Sequence, residues 1–156
     1  WNAKLISETV NKLTLSDYCE EFVEEAHQNS LNWERKPDCI VHNFCNSILP
    51  NKFDAVYCLD VLEHINSKDE INFLENIKSS CVINSKFIFG MPSLESQVHI
   101  DPEKRDPGHI NCKSQKELLN VLYKVFPVVY PFSFNDEVLH TGFAQMSHYI
   151  ICLCSN

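Results

Sequence analysis

The side chains best suited to chemistry fall in three stretches. Asp60-Val61-Leu62-Glu63-His64 sets two carboxylates and an imidazole close together. Gly108-His109-Ile110-Asn111 closes a long polar segment that also holds His99 and Asp101. Asn135-Asp136-Glu137-Val138-Leu139-His140 supplies a third set. Imidazole titrates near neutral pH and can take or give a proton during a reaction. Carboxylates and amides accept hydrogen bonds from ligand hydroxyls and amino groups. Taken singly, each of these side chains reads as a solvated loop residue. They point to function only if the fold brings the stretches together.

The elements that would do so are legible in the hydrophobic pattern. Phe53 to Leu59 is an almost continuous apolar run, as expected for a parallel strand covered on both faces. Asp60 then stands where that strand emerges at its carboxyl end, the edge at which open α/β sheets bind ligands. Parallel strands are also predicted over 12–17, 38–44, 82–89 and 128–134. An antiparallel strand over 145–154 closes a terminal hairpin. Apolar residues at Trp1, Leu5, Ile6 and Val10 suit the end of an amphipathic helix. Further helices are predicted over 18–28, 67–80 and 114–125. Ser67 with Glu70, and Ser114 with Glu117, have the spacing of a capping box. Pro102, Pro107 and Gly108 make 93–112 a long loop, a feature usually functional in a compact domain. Parallel strands send their carboxyl ends to one edge, so the loops 93–112 and 135–143 both leave it. His99, Asp101, His109, Asn111, Asn135, Asp136, Glu137 and His140 are therefore expected to face one cleft.

Bulk properties narrow the classes. At 156 residues the chain reads as one domain, and 44% hydrophobic residues suffice for a core. A net charge of −8 without a basic block argues against a phosphate-backbone partner, so no nucleic acid is expected. None of the eight cysteines forms a C-x-x-C pair, and several lie in strand-like runs. They read as reduced core thiols of a cytoplasmic protein. No leader and no membrane-length apolar run is visible, so no membrane partner is expected. The spacing of His99, Asp101, His109 and His140 is irregular, and no metal site is expected.

The run Phe53-Asp54-Ala55-Val56-Tyr57-Cys58-Leu59-Asp60-Val61-Leu62-Glu63-His64 closely resembles the fourth-strand motif of class I S-adenosylmethionine (SAM)-dependent methyltransferases, "FD-V-----LEH". The predicted element order also matches their Rossmann-like sheet, whose final strand is antiparallel. The resemblance implies an α/β fold with a mostly parallel sheet and an antiparallel terminal hairpin strand. Residues 1–156 would form a single partial methyltransferase domain. That family begins with a strand and a glycine-rich turn that approaches the methionine part of SAM. The glycines here are Gly90, Gly108 and Gly142, and none follows a first strand. The chain is therefore expected to start inside the helix after that turn, and by itself to bind SAM weakly or not at all and to be inactive.

Site roles follow by the same resemblance. Asp17 would address the ribose hydroxyls, or cap the following helix. Tyr18 would flank the adenine. Asn43 would read the adenine amino group with Phe44 against the ring, or simply make a strand-end turn. Leu59 and Asp60 would lie at the reactive end of SAM. Glu63 and His64 would fix their turn, bind the substrate or serve as acid or base, and His64 is also counted with the cofactor-binding residues. Methyl transfer needs proximity, alignment and a water-poor site, because the sulfonium already makes the methyl electrophilic. A hydroxyl acceptor also benefits from a base, and His109 is the first candidate, His140 the second. The function expected is O- or N-methylation of a small-molecule or sugar-like acceptor. A non-catalytic methyltransferase-like binding module is the alternative. A nicotinamide-dependent oxidoreductase shares the acid-after-strand logic but not the "LEH" motif or the terminal hairpin.

Overall fold

The computed structural model describes residues 3–136 and 138–156. The readings that involve Trp1 and Glu137 fall outside the described residues. Contacts divide the chain into two compact units, one running to Ser47 and the other from Ile48 to Asn156.

The first unit contains α1 (Ala3–Thr9), β1 (Thr14–Asp17), α2 (Glu20–Ser30) and β2 (Asp38–Val41). The two strands pair in parallel, with Thr14 opposite Asp38 and Asp17 opposite Val41. Glu20 and Glu21 open α2 and His27 lies in its last turn, which complements the helix dipole. The Arg35 guanidinium donates to the Val10 carbonyl at 2.8 Å and so ties the approach to β2 to the end of α1. β2 stops at Val41, short of the predicted Phe44. The cause is a local turn in which the Asn43 side-chain oxygen accepts the Cys45 N–H at 2.9 Å.

The second unit runs through β3 (Phe53–Leu59), a 3-10 turn (Leu62–His64), α3 (Glu70–Ser79), β4 (Cys81–Pro92), α4 (Leu94–Gln97), α5 (Gln115–Leu122), β5 (Val128–Asn135), β6 (Val138–His140) and β7 (Tyr149–Ser155). Its strands lie in the order β3-β4-β7-β5-β6. β3 and β4 are parallel. β7 runs antiparallel between β4 and β5, so β5 shares the direction of β3 and β4. β6 adds an antiparallel strand inside the stretch predicted as a loop over 135–143.

Burial along β4 alternates. Ser85, Phe87, Phe89 and Met91 are buried while Lys86 and Ile88 are exposed. The buried face lies under α3 and α5, which contribute Leu74, Ile77, Leu118 and Leu122. Phe126 packs its ring 4.7 Å from Phe87 and 5.5 Å from Phe89. Ile150, Cys152 and Cys154 of β7 complete this layer. The expectation that β3 is covered on both faces is not met: only Cys58 is buried, and Asp54 and Ala55 are exposed. Among the described residues β3 pairs with β4 alone, which makes it an edge strand.

The two cap predictions diverge. Ser114 and Glu117 form the reciprocal capping box of α5. α3 instead starts at Glu70 behind Asp69, without a side-chain cap, so Ser67 does not cap it. A turn in which the Asn66 side chain accepts the Lys68 N–H at 3.1 Å occupies that stretch. Among the described residues no helix is long and apolar enough to cross a membrane.

All eight cysteines are free thiols, and Cys58, Cys81, Cys152 and Cys154 are buried. Burial pushes the Cys58, Cys152 and Cys154 thiols up to about 12. Only the thiolate reacts readily. Maleimide labelling of the native protein is thus expected to stop short of these four cysteines, and guanidinium unfolding to release all eight. Equal labelling rates at all sites in the native state would contradict this core.

Candidate active site

In the first unit, Asp17 ends β1. Its carbonyl accepts the His42 N–H at 2.8 Å. Its carboxylate accepts the Cys19 N–H at 2.9 Å. This closes an Asx turn into α2, whose N-cap position is Cys19. Tyr18 beside it is 70% exposed. At the end of β2, Asn43 is exposed and Phe44 half-buried. The His42 ring stands edge-on to Phe44 at 4.6 Å and its Nε2 lies 2.9 Å from the Ser47 carbonyl oxygen.

In the second unit, the carboxyl end of β3 turns sharply at Asp60, whose φ is 56°. Among residues with a Cβ, Asp and Asn tolerate this left-handed region best. The Asp60 N–H donates to the Gly90 carbonyl at 3.1 Å and lies 3.2 Å from the Tyr149 hydroxyl oxygen. Burial, and next the Asp60 charge, push the Tyr149 phenol above its usual range. A Cβ on Gly90 would stand 2.7 Å from the Tyr149 ring and 2.8 Å from the Leu59 side chain. Glycine is therefore what lets Leu59, Asp60 and Tyr149 meet at this strand end.

The 3-10 turn follows at once and buries Leu62 and Glu63 while leaving His64 outside. Glu63 is 0% exposed. Burial, more than any neighbouring charge, pushes its carboxyl above the usual range. The segment 108–111 is stitched onto this turn. His64 Nδ1 lies 2.8 Å from the Gly108 carbonyl oxygen, and the Asn111 N–H donates to the Glu63 carbonyl at 2.9 Å. The His64 and His109 rings meet edge-on at 5.1 Å. Asp106 Oδ2 lies 3.8 Å from His109 Nε2. Asn111 donates to Glu70 at 3.0 Å, and Lys113 pairs with the same carboxylate at 3.0 Å, which locks the loop to α3.

A cleft of about 610 Å³ opens within this unit, lined by Pro92, Ser96, Gln97, His99, Ile100, His109, His148 and Tyr149. The structure thus brings His99 and His109 together, as the sequence predicted. His140 is not among the lining residues; its Nδ1 accepts the Gly142 N–H at 3.0 Å. Asp101 caps the short 3-10 turn Pro102–Lys104, and Asn111 is held by Glu70. Asn135 accepts the His148 N–H at 3.0 Å and so supports a lining residue. Asp136 takes the left-handed turn position before β6, with φ 50°.

The family model described as "Methyltransferase domain" matches residues 1–89. The chain belongs to this methyltransferase family. Among solved structures, an SAM-dependent methyltransferase from Clostridium acetobutylicum superposes with a TM-score of 0.72 at 14% identity, covering 96% of this chain and 77% of that one. The N-methyltransferase NodS from Bradyrhizobium japonicum, in complex with S-adenosylhomocysteine, gives 0.67 at 12% identity, covering 98% and 70%. Magnesium protoporphyrin IX methyltransferase from Synechocystis with bound S-adenosylhomocysteine gives 0.67 at 18%, covering 99% and 68%. At these identities the likeness is one of fold. No curated protein matches the sequence.

The methyltransferase is of the class I, SAM-dependent kind, and the donor chemistry of its strand ends fits that cofactor. Asp17 offers a carboxylate oriented by its Asx turn, and Tyr18 an exposed ring. Sequence reasoning missed His148 and Tyr149. It followed the carboxyl ends of parallel strands, whereas these residues sit at the start of an antiparallel one. The register that sets Tyr149 opposite Pro92 brings the start of β7 to the same edge.

Gly90→Ala is expected to lower stability by about 1–3 kcal/mol, since the new methyl must displace the Tyr149 ring or Leu59. Denaturant unfolding measures it. A change within about 0.5 kcal/mol, the range of an ordinary surface substitution, would show that the strand-end contact is loose.

Proposed function

We propose that this methyltransferase transfers the methyl group of SAM to a hydroxyl or amine of a small, sugar-like acceptor seated in the cleft of the second unit. Asp17 and Asn43 serve the nucleoside of SAM, with Tyr18 and Phe44 supplying ring faces. Leu59, Asp60 and His64 serve its reactive end. When bound, SAM supplies the electrophilic methyl, and the chain's residues bind, orient and exclude water. The observation that carries the reading is the convergence of His99, His109 and Tyr149 on one cleft beside the Gly90–Pro92 strand end.

A small acceptor suits the cleft volume, which lies in the range of small-molecule sites. The net charge of −8 argues against a polyanionic one. His109 is the group that takes the acceptor proton, with Asp106 orienting its ring. His140 is the comparison position, because its ring is engaged with Gly142.

In an acceptor screen with methyl-labelled SAM, His109→Ala is expected to lower turnover by roughly 10²–10⁴-fold. SAM affinity by calorimetry should change little, since the residue serves the acceptor side. Near-normal turnover of the His109 variant with its true acceptor would refute the base assignment. A matching loss in His140→Ala would move the assignment there.

A further inference from the structure

We propose that Glu63, His64 and His109 form a binding site for a divalent transition-metal ion. One ligand atom from each lies within 4.8 Å of the others. The decisive residue is Glu63. It is fully buried, and neither carboxylate oxygen has a hydrogen-bond partner among the described residues. An ionised carboxylate in that state is strongly disfavoured. The protonated form does not solve the problem, because its O–H would still need an acceptor. A cation bound at the carboxylate satisfies both oxygens at once.

The two imidazoles are arranged to help. His64 Nδ1 faces the Gly108 carbonyl at 2.8 Å, which makes it the protonated nitrogen and leaves Nε2 with its lone pair. On His109, Nε2 faces the Asp106 carboxylate at 3.8 Å, while the buried Nδ1 has no partner. Each ring therefore turns one nitrogen to an oxygen acceptor and keeps the other available. Metal-bound histidines show this outer anchoring almost always. Gly108 belongs to the arrangement, since a Cβ there would stand 2.9 Å from His64 Nδ1 and 3.1 Å from Asp106 Oδ1.

Two imidazoles and one carboxylate suit zinc, cobalt, nickel or iron(II) better than magnesium or calcium. At metal–ligand distances of about 2.0–2.2 Å the donors stand roughly 3.0–3.5 Å apart. Binding therefore requires side-chain rotation that shortens the present spacing. Three protein ligands leave a coordination position open, and His109 lines the acceptor cleft.

The site itself is independent of the acceptor proposed above; its use in activating a hydroxyl acceptor rests on that reading. There His109 acts as a metal ligand in place of the base assigned to it above, and the acceptor O–H gives its proton to water on coordination. The oxygen then bonds the methyl carbon as the sulfonium C–S bond breaks, leaving S-adenosylhomocysteine.

The test is titration of the chelator-treated chain with Zn²⁺ by calorimetry and with Co²⁺ by visible absorption. Saturable binding of one ion per chain is expected, with nitrogen–oxygen rather than thiolate absorption. Glu63→Gln keeps the shape of the side chain and should weaken binding at least about tenfold, as should His109→Ala. His27→Ala in α2 should leave it unchanged. Circular dichroism of the variants reports folding separately. Absence of stoichiometric binding, thiolate-type cobalt spectra, or unaltered affinity in Glu63→Gln each overturns the site. Turnover that survives chelation but is lost in His109→Ala overturns the metal's part in catalysis while the acceptor reading stands. Turnover indifferent to both overturns both.

Discussion

The antiparallel run of β7 between β4 and β5 is the constraint on which the cleft-bearing edge of the sheet depends. It joins the two parallel strands that otherwise have no common partner. Its inward residues Ile150, Cys152 and Cys154 are fully buried in the layer formed by Phe87, Phe89 and Phe126. That burial fixes register, because a slip of one residue would turn these side chains to the opposite face. Register in turn sets Tyr149 opposite Pro92. From there the phenol reaches the Asp60 N–H, and the left-handed Asp60 launches the turn that drives Glu63 inward. A hydrophobic pattern thus positions polar chemistry several steps away.

Several departures from ordinary folding rules meet at that edge. Asp60 takes a backbone conformation uncommon outside glycine, Glu63 is a buried carboxyl without a hydrogen-bond partner, and His109 has a buried nitrogen in the same condition. Others lie apart from it, at Asn84 and Asp136 with positive φ and at the unpartnered Glu95 and Asn156 oxygens, while the capping box of α5 and the packing of Phe126 on Phe87 keep the rules. Strain and unsatisfied polarity persist only where surrounding structure over-determines them. Here the surroundings are specific: the Gly90 and Gly108 carbonyls, the Tyr149 hydroxyl and the Asn111 amide.

Much of the fold was legible in sequence because periodicity reports directly on burial. The strands from Phe53 and Val128 onward, the antiparallel strand from Tyr149 and the Ser114 cap follow from local pattern. Short elements such as α4 and β6 carry too few residues to show a period. The two-sided cover expected for β3 failed because an apolar run reports composition, not neighbours. The site was legible in part. The place of His109 in the cleft lining was legible because its loop follows a parallel strand. His148 and Tyr149 were missed because the rule about strand ends ignores where an antiparallel strand begins. The proximity of Glu63, His64 and His109 was invisible, since it depends on a loop returning across α3, far from any local signal.

That return is itself firmly held. Ser93 accepts from the Ser96 N–H to cap α4, and its hydroxyl donates to the Ser147 carbonyl. At the other end the Leu94 N–H bonds the Lys113 carbonyl at 2.9 Å, while Lys113 and Asn111 grip Glu70. The loop is therefore clamped at both ends, and its central stretch carries exposed apolar side chains at Val98 and Ile100. A loop clamped this way separates two tasks. Its ends keep His109 in register with the turn that follows β3. Its middle shapes the cleft mouth, where side chains are exposed to solvent and a substitution disturbs little of the packed core. Under the proposed function, acceptor preference and methyl-transfer geometry would reside on one loop, yet on stretches that can change independently.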